Sequence, residues 1–67
     1  MNNEIQLLKS FFDYTKISAA QAAYEDIAKI KISETEQYYL CVVLSSIYEP
    51  MQVLCEFENY IIGLMNT

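Results

Sequence analysis

The chain has no histidine, no arginine and no tryptophan, one glycine, Gly63, and one proline, Pro50. Without imidazole there is no Ser/His/Asp arrangement, no histidine-ligated metal and no general base of the commonest kind. Without a glycine-rich loop nothing is built to cradle a phosphate. Carboxylates remain, but no motif groups them with a nucleophile. The residues therefore point away from an enzyme, and no cofactor or metal is expected.

Positive charge is also scarce. Four lysines, Lys9, Lys16, Lys29 and Lys31, stand against nine acids, for a net charge of −5. From Ile32 onward the chain carries Glu34, Glu36, Glu49, Glu56 and Glu58 and no cation. That half is repelled by phosphate backbones and anionic lipid, so direct binding to nucleic acid or to a membrane is not expected. A protein partner with a basic or amphipathic helical surface suits it better.

Two cysteines, Cys41 and Cys55, make neither a disulfide framework nor zinc-site spacing, and are expected to be reduced and buried. Met1 to Lys9 has no basic leader followed by an apolar core, and the longest uncharged stretch, Gln37 to Tyr48, is too short for a bilayer. A cytoplasmic protein is the expectation. A chain of 67 residues forms one domain and buries only about 60% of its unfolded surface. An apolar content of 54% is generous for that size, which suggests surface meant for a homodimer or a dedicated partner.

Periodicity predicts helices. Over 4–15, Ile5, Leu8 and Phe12 lie beside Leu7, Phe11 and Tyr14, opposite Gln6, Lys9, Ser10 and Asp13, with Asn2 or Asn3 as cap. Tyr14 to Ile17 then reads as a connection. Ser18 and Gln21 have capping-box spacing and open a second helix to about Lys31, with Ala20, Ala23, Tyr24, Ile27 and Ile30 on one face. Ser33 and Glu36 repeat the spacing before a third helix, about 34–48, whose stripe is Leu40, Val43, Leu44, Ile47 and Tyr48. Tyr38 to Leu44 is also rich in strand formers and would suit a buried β-strand. Pro50 suits the first turn of a fourth helix carrying Val53, Leu54, Phe57, Tyr60, Ile61 and Leu64, with Gly63 fraying or ending it. The expected fold is all-α: a single helical domain, 1–67, of three to four helices with a C-terminal antiparallel helical hairpin.

On that fold the third helix is apolar nearly all round, either because it is the central helix or because one side is left for a partner's helix. Tyr38, Tyr39, Val42, Val43, Leu54 and Phe57 are the candidate partner-binding residues, forming an apolar groove, and Glu34 and Glu36 are its acidic rim. The expected function is a non-enzymatic chaperone or adaptor that binds a partner's helix. The alternative is an acidic inhibitor, of the kind mobile elements encode, that uses Glu49, Glu56 and Glu58 to block a host nucleic-acid-binding protein. These acids also fit a plain solvated face.

The run from Leu40 through Tyr48-Glu49-Pro50 to Leu54, continued to Phe57, resembles a tetratricopeptide-type helical hairpin. It is similar to the small tetratricopeptide-like chaperones of type III secretion needle subunits, in which a Leu-rich helix ends in an Asn-Glu-Pro-like turn. Cys41 and Tyr48 stand where that repeat has glycines. The resemblance implies a protein that keeps an aggregation-prone subunit monomeric by cradling its amphipathic helix.

Overall fold

Glu4-Ile5-Gln6-Leu7 and Ala28-Lys29-Ile30-Lys31-Ile32 alternate polar and apolar side chains with a period of two. In the computed structural model, which describes residues 3–66, both segments are strands. The chain runs β1 (Glu4–Leu8), α1 (Tyr14–Ala23), β2 (Ala28–Glu34), β3 (Tyr38–Ser46) and α2 (Pro50–Met65). The sheet order is β1-β3-β2, and β3 is antiparallel to both neighbours. The edge strands β1 and β2 thus run parallel, with α1 crossing between them and β3 filling the gap. The fold is α+β, which corrects the expected all-α bundle.

Each departure from the expected helices has a local cause. Ile5 and Leu7 turn inward, while Glu4 and Gln6 turn away, so the first segment is a strand and not an amphipathic helix. It stops where the Leu8 carbonyl accepts from Phe11 N at 3.0 Å and Phe12 N at 2.9 Å. The expected cap Asn2 lies outside the described residues. Asp13 caps α1 instead, accepting from Thr15 N at 3.0 Å. The Ser18/Gln21 spacing therefore falls inside that helix, and Gln21 reaches out to donate to the Ile30 carbonyl of β2 at 2.6 Å. Helix α1 ends at Ala23, and Tyr24 to Ile27 form a turn before β2.

The third expected helix is β3, in line with the strand alternative. Tyr38 to Val43 is rich in aromatic and β-branched residues, and a central strand has both edges paired. Ser33 lies in β2 and Glu36 in the hairpin turn, which is closed by Thr35 N donating to the Tyr38 carbonyl at 2.8 Å. The C-terminal helical hairpin is likewise replaced by a strand followed by a helix. Helix α2 begins where expected, with Pro50 in its first turn and the Glu49 carboxylate accepting from Gln52 N at 2.9 Å. It runs through Gly63 to Met65 without ending at the glycine.

Both helices cover one face of the sheet. Leu7, Ile17, Ala20, Ala28, Ile30, Cys41, Val43, Val53, Leu54, Phe57 and Ile61 form one buried cluster. Phe57 sits within it, edge-on to Tyr24 at 5.7 Å. A bulge leaves Leu44 without a partner, because Ile30 pairs with Val43 and Lys29 with Ser45. Among the described residues no helix lies over the opposite face of the sheet. No helix among the described residues is long and apolar enough to cross a membrane.

Candidate functional site

The fold divides the residues that periodicity gathers into a groove: the core takes Val43, Leu54 and Phe57, and at the surface Tyr39 and Glu34 are cross-strand neighbours. Val43, Leu54 and Phe57 are core residues, 6%, 0% and 0% exposed, with no surface to offer a partner. Tyr39 lies on the helix side of the sheet, where its ring meets Tyr14 at 5.6 Å and the Lys9 ammonium at 5.2 Å. Lys9, just past the end of β1, also pairs with Glu34 of β2 at 2.7 Å. Glu36 is exposed in the β2–β3 turn. Tyr38 and Val42 are half-buried on the uncovered face.

At the Tyr39 end of the sheet Phe11 and Tyr14 are exposed, and Tyr14, Ile32, Ser33, Glu34 and Tyr39 line a cleft of about 360 Å³. Exposed apolar surface also gathers at the opposite end of the strands, where β2 begins and β3 ends, at Leu44, Ile47 and Tyr48. Ile47 N donates to the Ile27 carbonyl at 3.1 Å, tying the α1–β2 turn to the β3–α2 connection. The Ser46 hydroxyl bonds to the Tyr48 carbonyl, and the Glu49 cap fixes the start of α2. These bonds hold Ile47 and Tyr48 in place although their side chains are 69% and 59% exposed. Tyr48, Ile27, Gln52, Val53 and Glu56 line a cleft of about 340 Å³. A second cleft of about 310 Å³ shares Ile27 and is bounded by Ile47, Glu25 and Asp26.

The charge around these clefts is mostly of one sign. Glu25, Asp26 and Glu56 line the clefts, Glu49 follows Tyr48 in the chain, and among the described residues Lys29 is the one cation in the lining. Among the described residues the only ion pair is Lys9–Glu34, so none of these four carboxylates is neutralised by a close cation. The field reaches inward: the Tyr24 phenol is held above its ordinary pKa, first by burial and then by Glu56 and Tyr60. Such a surface favours a positively charged group whose neighbours are apolar.

No family model, characterised protein or solved structure matches the chain.

Among the described residues no three acidic or thiol side chains converge to hold a metal. Cys41 is buried in β3, whereas Cys55 is exposed on α2, which corrects the expectation that both thiols are buried. Helical spacing assigns Ile27, Ile47 and Tyr48 to a core stripe, and so misses them as surface. The signal available for them is position: they flank the ends of β2 and β3, just before the helix that Pro50 starts.

Proposed function

We propose that the chain is a non-enzymatic protein-binding module, an adaptor or chaperone acting in the cytoplasm. It engages a basic, partly apolar segment of another protein, such as one face of an amphipathic helix, at the Ile27/Ile47/Tyr48 clefts. The observation that carries this reading is exposed apolar surface, fixed by hydrogen bonds to the backbone, with four carboxylates beside it that form no ion pair among the described residues. Tyrosine is enriched at energetic centres of interfaces because it presents a large area with few rotatable bonds. The carboxylates speed encounter and select charge, while the apolar floor supplies affinity.

A second reading gives the acids the main role: the chain blocks a nucleic-acid-binding protein by occupying its basic surface. The net charge of −5 favours it. Salt separates the two, because an apolar contact tolerates it and a charge mimic does not. The experiment is capture from cell lysate with wild type, Tyr48→Ala and a Glu49→Gln/Glu56→Gln variant, at low and high salt. An adaptor retains its partner in high salt and loses it with Tyr48→Ala, by roughly tenfold or more in affinity. Capture only at low salt, abolished by the Gln variant and indifferent to Tyr48→Ala, supports the inhibitor. Equal capture by all three proteins refutes a role for this surface.

A further inference from the structure

The face of the sheet that no helix covers has an ordered cross-strand pattern. Glu4 of β1, Val42 of β3 and Lys31 of β2 lie in one row, since Val42 pairs with both of the others. The next row is Gln6, Leu40 and Ser33, and beyond it Leu8 pairs with Tyr38. Each complete row has an apolar residue on the central strand. In the first, a negative charge stands on one edge and a positive charge on the other.

We propose that a second copy of this chain docks on this face, sheet against sheet, about a two-fold axis parallel to β3. Rotation about that axis leaves β3 facing β3 and brings β1 of each copy over β2 of the other. Position along the strand is preserved, so Glu4 meets Lys31 of the other copy, and Lys31 meets its Glu4. Val42, Leu40 and Tyr38 then stack along the axis against their own counterparts. The same patch serves both copies, as an isologous interface requires. Stacked sheets lie about 10 Å apart, a gap that Glu and Lys side chains extended from both sides can close. A two-fold axis across the strands would instead lay β1 on β1 and leave Lys31 over β2, without its acid.

The size of the face sets the strength. Three strands of these lengths, spaced about 4.8 Å apart, present on the order of 300–400 Å², well under the usual 800 Å² or so per partner. The dimer is therefore a weak one, formed at high micromolar concentration. It uses a surface separate from Tyr48, so its test is independent of the partner-binding reading.

The test is sedimentation equilibrium of the full chain from about 10 µM to about 1 mM at low salt, the range a small interface demands. Circular dichroism checks that each variant is folded. Wild type should move from 7.8 kDa toward twice that mass as concentration rises. Lys31→Glu alone, or Glu4→Lys alone, sets like charges opposite each other at two places and should weaken the dimer by roughly tenfold. An equimolar mixture of the two variants restores both pairings, so the mixed dimer should form at least as readily as the wild-type dimer. Wild type that stays monomeric throughout overturns the proposal. So does a mixture that associates no better than the single variants.

Discussion

The contact between Tyr24 and Phe57 joins the turn after α1 to the middle of α2, and its removal measures how far the two helices depend on each other. Phe57 is fully buried, with its ring edge-on to Tyr24 at 5.7 Å and 85°. Truncation to alanine would cost about 3–5 kcal/mol. A domain of this size has about 3–10 kcal/mol in total, so Phe57→Ala would remove a large share of it, too much for a clean comparison of slopes. Phe57→Leu is the usable perturbation. It keeps an apolar side chain, costs about 1–1.5 kcal/mol through imperfect filling, and forfeits an aromatic contact worth about 0.5–1.5 kcal/mol. Urea unfolding followed by far-ultraviolet circular dichroism should show the unfolding free energy falling by a sum of about 1.5–3 kcal/mol, read as a lower midpoint with the slope unchanged. A cycle with Tyr24→Leu isolates the pair, and the two losses should be less than additive by about 0.5–1.5 kcal/mol. Tyr24 also meets Tyr60 edge-on at 5.7 Å, a contact that Phe57→Leu leaves in place. Strict additivity within 0.3 kcal/mol or so would refute the assigned packing of α2 on the α1–β2 turn.

Two further outcomes follow from single positions. Gly63 lies within α2 at ordinary negative φ, and an added methyl would meet nothing within 4 Å, so Gly63→Ala should raise stability by about 0.5–1 kcal/mol in the same urea assay. A loss would mean that α2 stops short of this residue. Cys41 is fully buried and its thiol is pushed up to about 11, first by burial and then by Glu58, whereas Cys55 is exposed. One thiol per chain should therefore react quickly with a disulfide reagent under native conditions, and Cys55→Ser should abolish that phase. Because the folded state holds the Cys41 proton more tightly than the unfolded chain, at 9.0, stability from this group is whole below pH 9 and is lost between pH 9 and 11. Cys41→Ala, though less stable throughout, should lose less over that interval, by an amount on the order of 2 kcal/mol. An identical alkaline decline in both proteins would show that the thiol is hydrated in the fold.

Helix α2 is legible in the sequence because two signals agree: Pro50 marks a first turn, and Val53, Leu54, Phe57 and Ile61 form a stripe that is buried. The other elements are ambiguous for physical reasons. In 4–15, Ile5, Leu8 and Phe12 satisfy helical spacing while Ile5 and Leu7 satisfy strand spacing, and five residues of strand are too few for one period to win. The same competition hides β2, although the Lys29-Ile30-Lys31-Ile32 alternation is regular. In β3 the alternation is erased, because Tyr38, Leu40 and Val42 are apolar on one face and Tyr39, Cys41 and Val43 are apolar on the other. Such a run is compatible with a buried helix and a central strand alike. Once β3 is a strand, Leu54 and Phe57 no longer border a groove with Val43; all three close over the core. Ile47 and Tyr48 leave the stripe and become connection. The acidic balance of the C-terminal half needs no fold to be read, but only Glu49 and Glu56 of it lie beside the clefts, where the fold brings Glu25 and Asp26 from the first half to join them.

The sheet order also dictates a sequence of events. Among the described residues strand β1 has one neighbour in the sheet, β3, and Ile5 pairs with Cys41 across an intervening helix, strand and turn. During synthesis the first strand therefore waits, unpaired, until β3 has left the ribosome. The β2–β3 hairpin is local and can close first, with β1 added to its open edge afterwards. Closing that long loop before any contact rewards it makes β1 docking the slow step. Until it is complete, the hairpin exposes a strand edge that another nascent chain can pair with, so dilution or a holding factor during synthesis would raise the yield of folded monomer.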